Sequence, residues 1–503
     1  MSQFFRDLWA SIQIFHSNFN ARYGALVNAI LISAVAAIFL YALLRAIAAG
    51  RRGRRSASTL QMRQPDSALA ERAAESLAMA IRIPSVTGET GPLADMIRFL
   101  RERYPNAARV MEFRTQPDGS LLLCWKTREQ TDNDPVLFCG HLDVAPGGDG
   151  WTRCEPFAGL RSEGKVWGRG AMDCKGIVVA MMEAAEALIE EGFSPRRDLY
   201  FAFGCDEETG GGRGAGAMAK ALERQGLQFS LVLDEGGAFQ DILRDGRHYS
   251  AAYIGMGEKR HCEYRLTVTA PGGHSSEPGR STALGMLSEA VCRVETVQPH
   301  PHILPIVWDQ LDETISTFPF FKRFFIANKP LLKLFSGRIF RDDPATSALI
   351  RSTFAATKMD GSFPAINMLP QSACAYFDAR LLPTDSPEKL LRELQNLVAD
   401  LPAEAELVAP GEESFITSKK QPMYQLLLDT IETLYPRLPI IPTLMTASED
   451  ARHYSALSDC ILRFAPLTLG QEGGGNTHEG DEYLSEQSLG LAAEFYAALM
   501  RKL

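Results

Sequence analysis

Short apolar runs (VLFCG, LYFAFG and SLVLDEGG) alternate with stretches of helical periodicity, and this alternation constrains the fold more than any other feature. It is the pattern of an α/β domain with a mostly parallel sheet and helices on both faces. One such helix is expected from about Lys175 to Glu191 and another from about Leu69, ending before Pro84. The character changes near Arg260. HCEYRLTVTAPGG alternates like a half-exposed strand and is followed by a helix from about Thr282 to Val294. SACAYFDARLLP and SPEKLLRELQNLVADL repeat that strand-then-helix order. Two such units predict a smaller α+β domain inserted in the larger one, to which the chain returns from about Gly411. The 503 residues, 46% hydrophobic and 22% charged, suffice for two or three cores. The expected division is a tail at 1–23, an apolar segment at 24–50, a linker at 51–66, the large domain at 67–258 and 410–503, and the inserted domain at 259–409.

The apolar segment is distinct. From Gly24 to Leu44, 21 residues pass without a charge, enough to span a bilayer as one helix. A signal peptide would have a shorter apolar core and a small-residue cleavage site close behind it, where here Arg51, Arg52, Arg54 and Arg55 follow. A buried core helix would carry a polar face. A single transmembrane helix is therefore expected. The arginine cluster outweighs Arg6 and Arg22 against Asp7 on the other flank, and the positive-inside rule places the globular body in the cytoplasm. The nine cysteines, scattered and without a C-x-x-C pair, form no disulfide framework and are compatible with a reducing compartment. The formal charge of −9 argues against nucleic acid as a partner.

Five clusters of chemically capable residues stand at or just beyond the ends of apolar runs. They are His141 and Asp143 in GHLDV, Asp173 in GRGAMDCKG, Glu207 and Glu208 in GCDEETGG, Asp234 in LVLDEGG, and His478 in GGGNTHEGDEY. In an open α/β sheet, groups just past the carboxyl ends of strands converge on one crevice. Imidazoles mixed with carboxylates suit zinc, and two metals ~3.5–4 Å apart need a carboxylate to bridge them. Two His and several acids match such a pair, with a carboxylate left over for proton transfer. Taken singly, each cluster has a plainer reading as a turn or a solvated face; their order along the chain is what is informative.

In that order the clusters resemble the dizinc peptidase and amidohydrolase family that includes glutamate carboxypeptidase, aminoacylase and acetylornithine deacetylase. The likeness runs from about Ile81 to the C-terminus and is greatest to its Gly-Xaa carboxypeptidases and N-fatty-acyl-amino-acid synthase/hydrolases. The resemblance implies that Asp173 bridges two divalent metal ions, expected to be Zn2+, that His141 and Asp234 complete one site, and that Glu208 and His478 complete the other. It implies Glu207 as general base, Asp143 as the acid that orients His141, and the inserted domain as a lid and dimerisation domain. His274, in APGGHSSEP, resembles the lid histidine that stabilises the tetrahedral intermediate, often across the dimer. Asn367 resembles a lid asparagine that binds substrate, and Arg380 and Arg452 are candidates to clamp a substrate carboxylate.

Two departures are visible. Cys174 stands where the family usually has a second acid, and is expected to be a non-ligating neighbour. TASEDARHY keeps Asp450 and Arg452 of a Gly-Gly-Thr-Asp-x-Arg loop but not its glycines. The expected function is hydrolysis of the amide bond to a C-terminal amino acid, in a small peptide or an N-acyl-amino acid. The rivals are a deacetylase of an amino-acid intermediate and a catalytically inactive membrane-bound binding protein of the same fold. Phe318 to Arg341 holds seven Phe and six Lys or Arg with no acid. It reads as an element touching lipid, as the wall of an acyl channel, or as a lid helix with aromatics inward and cations in water, the last being favoured.

Overall fold

Val136–His141, Leu199–Gly204 and Leu231–Asp234 are buried at every residue, which is why their sequences carry no alternation. In the computed structural model Val136–His141 runs parallel to both of the others, with Phe138 opposite Phe201 on one side and Leu233 on the other. Ile461–Arg463, from near the C-terminus, adds in parallel beyond Leu231–Asp234. Leu137, Cys139 and Val232 pack one face against Met218 and Leu222 of the helix Ala215–Arg224. On the other face, the Phe138 ring meets Tyr496 edge-on at 6.1 Å. There Glu486–Met500 packs against the helices Lys175–Glu190 and Ser67–Ile81. The structure describes residues 26–30, 32–51, 63–129, 131, 133–244, 247–361, 365–470 and 473–503. The expected tail, most of the linker, and the orienting Arg52, Arg54 and Arg55 lie outside these.

The expectation of a mostly parallel sheet needs correction. The parallel core is flanked by antiparallel strands, so the fourteen-stranded sheet is mixed. The cause is local. Phe239–Arg244 and Arg247–Glu258 are consecutive strands and pair antiparallel, with Arg244 opposite Arg247. Leu160–Ser162 and Lys165–Trp167 are joined through Glu163 and Gly164, both at positive φ (55° and 70°), the turn that matches strand twist.

A second, four-stranded antiparallel sheet has the order Thr353–Asp360, Ser372–Leu381, Arg260–Thr269, Ala403–Ala409. Ser372–Leu381 alternates strictly between buried and part-exposed residues, as the sequence predicts. Its covered face packs on the helices Ala283–Thr296 and Pro387–Leu397 through Leu266, Val268, Leu287, Phe377 and Leu394. Each large apolar side chain buried there contributes about 1.5–3 kcal/mol. Thr282 and Ser386 cap the two helices by accepting from Gly285 N and Lys389 N, for roughly 1 kcal/mol each.

The chain divides into two compact units. Leu311–Ile339 groups with the described residues of 1–56, and everything else, both sheets included, forms the other unit. In the first unit, the helix Leu26–Arg51 is long and apolar enough to cross a membrane. The helices Phe320–Ala327 and Lys329–Ile339 pack on each other. Their aromatics are not all turned inward as the favoured reading had it: Phe320, Phe321 and Phe335 are 48%, 64% and 42% exposed.

Candidate active site

The parallel strands deliver the clusters to one edge. His141 ends its strand fully buried, and its Nδ1 lies 2.8 Å from the Asp143 carbonyl oxygen and 3.4 Å from Asp143 Oδ1. These contacts fix the ring so that Nε2 points outward, 2.9 Å from Asp173 Oδ1 and 3.2 Å from Glu235 Oε1. Asp143 does more than orient the ring. Its Oδ2 accepts from Thr87 Oγ1 (2.7 Å) and its Oδ1 from the Glu207 backbone N–H (3.3 Å), tying the imidazole to the Glu207 loop.

Asp173 faces two ways. While Oδ1 meets His141, Oδ2 lies 3.1 Å from His478 Nε2, which is also 3.1 Å from Glu208 Oε2. The Glu208 carboxylate is held from behind by Ala145 N–H at 2.9 Å. His478 reaches in from a C-terminal turn in which it and Asn476 adopt positive φ (62° and 63°). Two groups result, His141 with Glu235 and Cys174, and Asp173 with Glu208 and His478.

One predicted residue stands apart from the two groups. Asp234 does not face His141: its Oδ1 accepts from Glu235 N–H (2.9 Å) and its Oδ2 from Ala451 N–H (2.6 Å). Asp234 continues the period-two register of Val232, which packs in the same cluster as Ala451 and Tyr454. Glu235, one residue past the strand, is free of that register and turns to His141. Glu235 was not singled out from the sequence, nor was Glu482, a buried carboxylate that accepts from Arg169 Nη1 (2.6 Å), Met172 N–H (2.9 Å) and Asp173 N–H (3.3 Å) and so sets the Asp173 backbone. The only signal for either is an acid adjoining a recognised cluster. The Cys174 sulfur accepts from His141 N–H at 3.3 Å, so a backbone group already occupies it.

The protein alone leaves this cluster short of positive charge. Burial pushes Glu207 up to about 7 and Glu235 up to about 8, with Asp173 adding to both. Burial also raises Asp234 and holds Asp450 well above the usual carboxylate range, and both Asp450 oxygens are buried without a hydrogen-bond partner. Hydrogen bonds to Asp173 and Glu208 carry His478 up to about 10. Burial opposes the charge on His141, yet the groups around it, Cys174 and Glu235 foremost, raise it well above the usual imidazole value. Carboxyls and imidazoles raised together mark a site that favours added cations. The donor set fits zinc-like ions.

The remaining predicted residues lie apart from these two groups. Arg380 forks onto its neighbour Asp378 (2.8 and 3.1 Å), and its Nη1 reaches Ser448 Oγ at 3.3 Å, next to Glu449 and Asp450. Arg452 donates to the Glu449 and Gly210 carbonyls, both at 2.7 Å, and so braces the turn that carries Glu207 and Glu208. His274 and Asn367 are exposed neighbours on a short ladder of the second-sheet region, where Ser275 N–H donates to Asn367 O at 2.9 Å. The His274 ring bonds Ser276 Oγ at 2.7 Å rather than any group of the acidic cluster.

A carboxyl-edge crevice of this composition on an α/β sheet belongs to the metal-dependent hydrolases. The chain is a member of peptidase family M20/M25/M40, whose model matches residues 137–502, and it is an enzyme of that family. It is 32% identical over 413 residues to probable carboxypeptidase S-like 2 of Dictyostelium discoideum, covering 80% of this chain and 78% of that one. To N-fatty-acyl-amino acid synthase/hydrolase PM20D1 of Mus musculus it is 30% identical over 428 residues, covering 82% and 84%. The crystal structure of the M20 family metallo-carboxypeptidase Sso-CP2 from Sulfolobus solfataricus shares the fold, with a TM-score of 0.62 at 16% identity over 86% of this chain and 99% of that one.

Proposed function

We propose that the enzyme hydrolyses the amide bond joining an acyl or aminoacyl group to a C-terminal amino acid, with two divalent cations as cofactors. The observation that carries this reading is the split of Asp173, with one oxygen toward His141 and the other toward His478. His141 and Glu235 would hold one cation, Glu208 and His478 the other, and Asp173 would touch both. Bound cations supply Lewis acidity, which brings a water's pKa toward neutrality and polarises the scissile carbonyl. The chain's own groups do the rest. Glu207 takes the proton of the attacking water and returns it to the leaving amine. Asp143 keeps the His141 ring in register with that base. Arg380 and Arg452 are the candidates to meet a substrate carboxylate; Arg380 would have to exchange its Asp378 contacts for it, and Arg452 those that brace the Glu207 turn.

Residues 259–409 would serve as lid and dimerisation domain, with His274 and Asn367 completing the site of a second subunit. The exposure of both residues and the absence of a His274 contact within its own cluster support this. Mixing His274→Ala chains with Glu207→Gln chains, each inactive alone, is expected to restore part of the activity. Mixtures that stay inactive while forming mixed dimers would remove the shared-site reading.

The relatives named for carboxypeptidase and N-fatty-acyl-amino acid chemistry favour peptide or N-acyl-amino acid substrates over acetylated intermediates, and the complete acid and imidazole set speaks against an inactive binding protein. Leu26–Arg51 would anchor the enzyme as a single membrane span, with the body in the cytoplasm. Purified protein assayed on dipeptides and N-acyl-amino acids is expected to cleave one class and lose all turnover with a chelator, recovering on return of zinc. Full activity in protein that elemental analysis shows to be metal-free would overturn the proposal.

A further inference from the structure

The aromatic, basic helix pair is packed against the apolar helix rather than hanging free of it. Ala42, Ala46 and Gly50 form a buried small-residue stripe on the last part of Leu26–Arg51, letting another backbone come close. At Gly50 the space a Cβ would take is filled by the Arg323 guanidinium, whose Nη1 would stand 2.1 Å from it. Buried Asn328, between the two short helices, donates its amide to the Ala42 carbonyl (3.2 Å) and to the Phe324 carbonyl (2.7 Å). The Phe39 and Phe324 rings lie 5.9 Å apart. Up to Tyr41, by contrast, the described residues of the long helix are exposed on every side.

Depth follows from this. If 24–44 spans the hydrocarbon, contacts running from Phe39 to Gly50 set the pair at the boundary between hydrocarbon and water, since each residue rises ~1.5 Å. There the pair presents Phe321, 64% exposed, and Leu334, 74% exposed, with Phe320 and Phe335 beside them. Phe321 stacks edge-on with Phe325 (5.2 Å), and Phe325 meets Phe335 across the two helices (6.1 Å), so the aromatics form one connected face. Phe320–Ile339 carries Lys322, Arg323, Lys329, Lys333 and Arg338 and no acid; Lys329 is paired with Asp312 (2.7 Å) and Arg323 donates to the Phe318 carbonyl (2.9 Å), which leaves Lys333 and Arg338 as the cations carrying the attraction to an anionic headgroup. Large apolar groups interleaved with cations are the composition of an element lying in the headgroup layer.

We infer that Phe320–Ile339 is an interfacial platform that inserts Phe320, Phe321, Leu334 and Phe335 into the bilayer surface beside the anchor and prefers anionic phospholipid. This rests on the reading of Leu26–Arg51 as a membrane span. The full chain, reconstituted in phosphatidylcholine/phosphatidylglycerol vesicles, would carry Phe321→Trp, Leu334→Trp or, on the catalytic unit, Leu160→Trp. The added emission at 321 and 334 is expected to be largely lost when the acyl chains are brominated and to shift further to the blue with phosphatidylglycerol present, while the emission added at 160 is unaffected. If the chain resists alkaline extraction but emission at 321 and 334 escapes quenching, the platform is wrong and the anchor stands. Quenching without any effect of phosphatidylglycerol would overturn the anionic preference. If alkali strips the unmodified chain from the vesicles, anchor and platform fall together.

Discussion

Glu207→Gln is expected to lower kcat by roughly 10²–10⁴-fold while leaving the metal content of the enzyme unchanged. The amide preserves shape and the Glu207 N–H bond to Asp143 Oδ1 (3.3 Å) but cannot accept the water's proton. Two features suit Glu207 to the base role. It is the half-buried acid of its turn that has no imidazole contact, whereas its neighbour Glu208 lies against His478. Burial also lifts it to about 7, toward the range where proton uptake and release are both accessible. Single-turnover assays paired with elemental analysis check this. Parent-like turnover would exclude Glu207 as the base, and lost metal would make it a ligand.

The second contrast separates adjacent acids. Glu235→Gln is expected to weaken binding of one cation of the two, and activity with it, because its Oε1 is the carboxylate oxygen 3.2 Å from His141 Nε2 that is not already shared with the second cluster. Asp234→Asn should keep both cations. Its cost falls on stability, about 1–3 kcal/mol, through weakened acceptance from Ala451 N–H at a buried position. Metal titration and thermal unfolding of both variants give the answer. If Asp234→Asn loses a cation and Glu235→Gln does not, the residue expected from the sequence resemblance is the ligand after all.

That pair also shows where reading the sequence stopped. LVLDEGG announces a strand ending in acid, and the strand is there. Which of two consecutive carboxylates turns to the metal side depends on where the pleat ends, a matter of one residue that the pattern does not specify. That His141, Asp173, Glu208 and His478 would come together was legible because glycines flank each cluster and their order matched a family. Glu482 was not, because a buried acid holding a backbone looks like any other acid until Arg169 is seen opposite it. The second sheet was legible from alternation in Arg260–Thr269 and Ser372–Leu381. The antiparallel flanks of the large sheet were missed although Asp245-Gly246 is a hairpin signal. The docking of the aromatic pair on the apolar helix joins segments far apart in sequence, and no local period encodes it.

The strand Ile461–Arg463 lies between Leu231–Asp234 and Arg247–Glu258 in the large sheet, although both neighbours are synthesised long before it. A chain emerging from a ribosome at ~5–20 residues per second therefore holds the Leu231–Asp234 edge unpaired for on the order of tens of seconds. In that interval His478, which lies 3.1 Å from Asp173 Oδ2, is also missing. A nascent chain stalled before Ile461 thus presents a bare apolar edge open to wrong partners, and the sheet closes only once Ile461–Arg463 has been made.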